Sequence, residues 1–250
     1  MKQVHIRFYA ELNRLLPAEK RQREFVCWIG EGTTVKHLIE SLGVPHTEVD
    51  LIVVNGVSVG FSFQPQDGDH ISVYPEFESM DISPIIHLRP KPLRETRFVL
   101  DTHLGRLAAY LRMLGFDTLY RNDYKDEELA RISCEEKRVL LTRDRGLLKR
   151  KMVSHGYYVR ETSAHQQAVE VLRRFQLEGQ IKPFERCLKC NGLMRQVDKG
   201  AIEGKLPANT RKYYDLFYTC NVCGQIYWKG THYQRMKTLI ERIAQEVLSG

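Results

Sequence analysis

RFVLDTHLGRLAAYLRMLGFDTLYRNDYKDEELARISCEEKRVLLTRDRGLL, residues 97–148, decides the fold of the larger part of the chain. Short apolar runs (FVL, FDTL and VLLT) alternate in it with stretches of helical period. Leu104, Leu107, Ala108, Leu111 and Leu114 form one apolar stripe, from which Arg106, Tyr110 and Arg112 fall away, and Gly115 supplies the stop. The alternation continues outward through RGLLKRKMV as helix, YYVRE as strand after Gly156, and HQQAVEVLRRFQ as helix. Brief strands separated by helices predict a parallel α/β sheet.

Ligands of an open parallel sheet lie beyond the carboxyl ends of its strands. That rule selects Asp101 after FVL, Asp123 after the second strand and Asp144 after VLL, with Asp126 and Glu127 opening the intervening helix. Carboxylates brought to one edge repel each other unless a cation neutralises them, and an all-oxygen donor set suits Mg²⁺ or Mn²⁺. A plainer role stands beside each: helix cap for Asp101, Asp126 and Asp144, turn residue for Asp123. Arg106, Arg143 and Arg145 flank these acids, and a negative centre ringed by cations fits a phosphodiester. His103 is a candidate proton carrier or simply a helix-start residue.

The six cysteines divide into lone Cys27 and Cys134 and the pairs Cys187/Cys190 and Cys220/Cys223. Two CxxC pairs predict a closed tetrahedral zinc site that folds a ribbon, with a redox dithiol or an iron–sulfur cluster as the alternatives. Leu193 and Met194, then Ile226, Tyr227 and Trp228, read as ribbon strands. The insertion VDKGAIEGKLPANTRKYYD, residues 197–215, is expected to be a protruding arm. Lys205, Arg211, Lys212 and Tyr213 on it, with Lys229, His232 and Arg235 beyond, combine charge and ring faces suited to RNA. Lys199, Tyr214 and Tyr218 extend the same mixture, against which tyrosine packing in a core is the alternative.

The N-terminal 81 residues follow another pattern. VHIRFYA and REFVCWIG alternate as strands, with Phe25, Cys27 and Ile29 on one face. Thr33 or Thr34 caps a helix carrying Val35, Leu38, Ile39 and Leu42, stopped by Gly43. LIVVNGVSVG is a hairpin turning at Asn-Gly, and a closing strand follows DGD. This order is that of a β-grasp, and through DGDHISVYP the segment resembles the ubiquitin-like sulfur carriers of thiamine and molybdopterin synthesis. Such carriers end in Gly-Gly, whereas this strand runs on into PEFESMDISP, which argues for an accessory or docking role with an unknown protein partner.

Charge divides the same way, with residues 1–83 holding 7 Lys/Arg against 12 Asp/Glu and the remainder 31 against 19. A strongly basic C-terminal part suggests a polyanionic partner or else a solvated face. No apolar run of about 18 residues spans a bilayer and the start is not signal-like, so a cytoplasmic protein is expected.

The 97–148 stretch, with RCLKCNG and FYTCNVCGQIYWKGTHYQRM, resembles the Mut-seven C-terminal RNase domain family, a PIN-like nuclease fold with a zinc ribbon, over about residues 94–240. The resemblance implies hydrolysis of RNA by clustered acids with a divalent ion, and carries over to Asp101, Asp144 and, as the intervening acid, Asp126. A fourth acid common in PIN domains has no counterpart after Asp144. The expected organisation is a β-grasp domain at 1–81, a proline-bearing linker at 82–94, a PIN-like domain at 95–182, and a zinc ribbon with a C-terminal helix at 183–250. The expected activity is a metal-dependent ribonuclease with Zn²⁺ in the ribbon and Mg²⁺ or Mn²⁺ at the acids, acting on RNA, with tRNA and rRNA as candidates. A non-catalytic RNA-binding or ribosome-associated module is the alternative. A phosphotransferase using Asp101 as nucleophile would want a second Asp where His103 stands.

Overall fold

The computed structural model describes residues 1–75 and 95–249; the expected linker at 82–94 lies outside them. In chain order the first elements are β1 (Lys2–Phe8), β2 (Phe25–Ile29), α1 (Val35–Ser41), β3 (Leu51–Val54), β4 (Val57–Ser58) and β5 (His70–Tyr74). There follow β6 (Phe98–Leu100), α2 (Gly105–Met113), β7 (Thr118–Leu119), α3 (Asp126–Glu135), β8 (Val139–Thr142), α4 (Arg145–Leu148), β9 (Gly156–Tyr158) and α5 (Ala164–Arg174). The last are β10 (Met194–Val197), α6 (Lys199–Ile202), α7 (Ala208–Tyr213), β11 (Phe217–Cys220), β12 (Ile226–Trp228) and α8 (Thr231–Leu248).

Contacts gather the chain into two compact units, Met1–Arg94 with Asp126–Tyr158, and Glu95–Lys125 with Val159–Gly250. In the first, the sheet runs β2-β1-β5-β3-β4, with β1 parallel to β5 and the other pairs antiparallel. Thr34 caps α1 by accepting the His37 N–H, and Val35, Leu38 and Ile39 close over Val4, Ile6 and Ile52. Each such fully buried branched or aromatic side chain stabilises the fold by about 1.5–3 kcal/mol. Asn55 (φ 49°) and Gly56 (φ 86°) make the tight turn between β3 and β4, both in the left-handed region that this hairpin needs.

The segment 126–158 contributes α3, α4 and the parallel pair β8 and β9 to the same unit. Four residues tie it to the grasp sheet and its loops. Buried Glu48 accepts the Tyr158 N–H at 2.7 Å, and the His46 ring lies 3.0 Å from the Val153 carbonyl. Arg145 donates to the Leu15 carbonyl at 2.7 Å, and Lys149 to that of Glu40 at 2.5 Å. Helix α4 stops at Leu148 instead of running through the expected RGLLKRKMV. Beyond it, Lys149, Arg150 and Val153 donate to carbonyls three residues back, so the cationic run winds down as tight turns.

The second unit holds the parallel pair β6 and β7, helices α2, α5 and α8, and an antiparallel sheet ordered β10-β11-β12. Ile240, Ile243 and Val247 are the buried positions of α8, and His165 on α5 meets its Glu246 at 2.9 Å. Gly115 (φ 101°) ends α2 where a β-carbon would stand 2.2 Å from the Lys182 carbonyl oxygen. Only glycine admits the 182–184 segment there, whose Lys182 and Phe184 N–H groups bond the carbonyls of Leu114 and Met113 at the end of α2.

Candidate metal centre and acidic site

The two cysteine knuckles converge. Cys187 Sγ lies 3.7 Å from Cys223 Sγ and Cys190 Sγ 3.3 Å from Cys220 Sγ, with all four sulfurs within 4.8 Å of one another. Tetrahedral zinc with bonds of about 2.3 Å sets sulfur–sulfur separations near 3.8 Å, so the donors fit that ion in kind and in spacing. Burial pushes the Cys190 thiol up to about 12. Burial opposes the Cys220 thiolate too, yet the Cys223 and Val222 N–H groups and the Cys190 thiol hold it down to about 6. Cys190 thus holds its proton more firmly than Cys220, and a metal entering the site would displace it.

Gly192 is what lets the knuckles meet. A β-carbon there would stand 2.8 Å from Cys220 Sγ and 2.8 Å from Val222 Cγ2. Around the first knuckle, Arg112 of α2 is 5% exposed and donates to the carbonyls of Thr118 (2.9 Å), Leu188 (3.1 Å) and Lys189 (3.1 Å). Asn191, in the left-handed region at φ 69°, accepts the Thr118 N–H at 2.9 Å and donates to Asp117 at 2.8 Å. Although Arg112 lies off the apolar stripe, its guanidinium is buried and fastens the knuckle to α2 and β7. The insertion is likewise not a protruding arm, because α6 and α7 fold back so that Ile202 and Leu206 pack with Phe217, Tyr214 and Trp228.

The acids are placed differently. Asp101, 6% exposed at the end of fully buried β6, accepts the Thr102 N–H at 2.6 Å. Tyr120 donates to the Thr102 carbonyl at 3.0 Å and packs where a β-carbon on Gly105 would come within 2.6 Å of its hydroxyl, so Gly105 and Tyr120 shape the turn after Asp101. His103 and Arg106, on that turn and the start of α2, line a pocket of about 530 Å³ with Tyr110, Thr162, Ser163 and His165. In the other unit, exposed Asp144 caps α4 by accepting the Gly146 N–H at 2.7 Å. Asp126 opens α3 and pairs with Arg150 at 3.5 Å, with exposed Glu127 beside it. Asp123 is held below the usual carboxylate range by its two-pronged hydrogen bond to Arg121. Arg143 is exposed, whereas Arg145 lies over the Tyr158 ring at 5.2 Å and reaches Leu15.

Between the ribbon and α8 lie two cavities of about 400 and 650 Å³, both lined by Tyr227, Trp228, Tyr233 and Met236. Lys229 lines the first, and Tyr213 and His232 the second. Lys229 also stands over the Tyr233 ring at 5.7 Å, and 68% of Tyr213 is exposed. Lys205, Arg211, Lys212 and Arg235 are exposed outside these linings, and Arg211 lies 3.8 Å from Glu203. Phe184 and Tyr233 line the first of these troughs and were not singled out in the sequence.

A ubiquitin-like sheet followed by parallel α/β strands and a four-cysteine cluster of metal-binding geometry defines the class of this chain. Residues 96–240 match the Mut7-C RNAse domain and residues 1–81 the Mut7-C ubiquitin domain. The chain belongs to the Mut7-C RNAse domain family. No curated protein matches it. Among solved structures, a protein described as a molybdopterin converting factor, subunit 1, from Pyrococcus furiosus is 25% identical, with a TM-score of 0.25, over 31% of this chain and 100% of its own. Among the described residues no helix is long and apolar enough to cross a membrane.

Proposed function

We propose that the chain is a metal-dependent ribonuclease of PIN-like fold, with zinc held by Cys187, Cys190, Cys220 and Cys223 and the ribbon assisting RNA binding. We keep 1–81, 95–182 and 183–250 as its domains, joined at 82–94. The observation that carries the activity is Asp101: a buried carboxylate at the end of an apolar parallel strand, followed in the chain by His103 and Arg106, which line a pocket, within the span that matches the RNase domain. Asp101, Asp126 and Asp144 would hold Mg²⁺ or Mn²⁺, for which an all-carboxylate donor set is suited. When bound, such an ion activates water and neutralises charge on the phosphodiester.

The chain's own groups supply the rest. Tyr120 and Gly105 fix the turn that follows Asp101, and Arg106 and His103 would engage phosphates neighbouring the scissile one. The trough of Tyr227, Trp228 and Tyr233, with Lys229 and His232, offers ring faces on which unpaired bases stack and cations for the backbone. Purified protein should cut labelled RNA only with added Mg²⁺ or Mn²⁺. Asp101→Asn and Asp144→Asn should each lower cutting by about a hundredfold or more while binding survives, the scale on which fixed electrostatic groups act. Cutting that persists in both variants would sink the assignment. A second reading, an RNA-binding module that does not cut, is favoured by the duties Asp144 and Asp126 already have as cap and ion-pair partner. It prevails if wild type binds a broad set of RNAs and cleaves none.

A further inference from the structure

The grasp sheet carries a second group of metal-donor side chains, remote in chemistry from both the cysteines and the acids. His5 on β1 and His70 on β5 are direct register partners across a parallel pair, so both side chains leave the sheet on the same face. Their rings lie parallel, 4.5 Å apart and 9° from coplanar stacking. Both present Nδ1 to one carboxylate: Glu24, just before β2, has Oε1 at 2.9 Å from His70 and Oε2 at 3.7 Å from His5. The three donor atoms lie within 4.8 Å of one another.

We propose that His5, Glu24 and His70 form a surface site for a transition-metal ion of borderline softness, such as Ni²⁺, Cu²⁺ or Zn²⁺. Two imidazoles and a carboxylate match those ions and not Mg²⁺, which takes oxygen donors and water. At bond lengths of about 2.0–2.2 Å a shared ion needs donors roughly 3–4 Å apart, close to the 2.9 and 3.7 Å at which Glu24 stands from the two rings. Side-chain rotation can make the final adjustment, since His70 is 58% and Glu24 44% exposed. His5, at 28%, is the fixed member, and a tilt of the His70 ring out of the stack brings both nitrogens onto one centre. His5 Nδ1 is beyond hydrogen-bond reach of Glu24, and a shared cation satisfies it together with the carboxylate. Three protein donors leave coordination positions open to water or to a donor from another molecule.

The test uses the full chain with its cysteine site filled with zinc, titrated with Ni²⁺ by calorimetry while zinc content is measured before and after. One Ni²⁺ per chain should bind without releasing zinc, and the His5 and His70 ring protons should broaden first in the NMR spectrum. His5→Ala and His70→Ala should each weaken binding about tenfold or more, and Glu24→Gln measurably, in the range of lost metal-site partners. His37→Ala, an exposed histidine on α1, should leave it unchanged, and Mg²⁺ should neither compete with Ni²⁺ for this site nor shift the His5 and His70 ring signals. Equal binding in the His5 and His70 variants, equal loss in His37→Ala, or uptake matched by zinc release would each overturn the proposal. If either alanine variant folds poorly, Glu24→Gln and the line broadening in the unaltered chain decide it.

Discussion

The cysteines and the acids were both selected as metal donors, yet the folded chain treats them in opposite ways. The four sulfurs are drawn into one cluster by two tight knuckles within a single compact unit, with Gly192 cleared out of the way. Of the acids, Asp101 belongs to one unit and Asp126 and Asp144 to the other, and each begins or caps a helix or turn. A local motif with fixed ligand spacing builds its own geometry. A constellation assembled from strand ends borrows its geometry from the whole sheet, so its members keep ordinary structural work.

The largest effect should come from breaking the local centre. Cys220→Ser, or stripping metal with a chelator, should unfold the ribbon, abolish bound zinc and erase the aromatic circular dichroism contributed by Tyr227 and Trp228, because structural zinc energy is folding energy. An intact ribbon spectrum without metal would mean that the small core of Ile202, Leu206 and Phe217 suffices. Next, Arg112→Met should cost about 3 kcal/mol in denaturant unfolding, since it strands buried carbonyls that a charged donor had satisfied. Gly192→Ala should lower zinc affinity about tenfold without altering β6 or α2, the size of effect seen when a metal site's surroundings are disturbed. Gly105→Ala should displace Tyr120 and reduce cutting while zinc content stays constant, separating the acidic site from the ribbon. The smallest effect belongs to Asp123→Asn, which should leave cutting within about twofold, as expected where an exposed pair serves only itself.

What sequence could and could not reveal follows the same division. Cysteine spacing, the Asn-Gly turn and the stripe of α2 are local patterns, and each reappears in the folded chain. The burial of Arg112 was not legible because helical periodicity sees apolar residues only, and two of the three carbonyls that receive its guanidinium lie more than seventy residues away. The insertion looked like an arm because Ile202 and Leu206 stand isolated among polar residues; their partner Phe217 belongs to the next strand. Arg145 bracketed an acid in sequence, yet its outward partner is a backbone carbonyl near the N-terminus, 130 residues earlier. Long-range polar contacts leave no period to read.

Glu48 has a consequence for how the protein is made. It sits 2% exposed in the N-terminal part, and the Tyr158 N–H it accepts lies 110 residues further along the chain. At synthesis rates of about 5–20 residues per second, the ribosome takes roughly 5–20 s to deliver that donor. During this interval the nascent grasp domain holds a carboxylate meant for burial with one of its partners not yet translated. Its last packing step therefore waits on the second half of the message, and a ribosome that stalls before Tyr158 would leave that face open to the solvent.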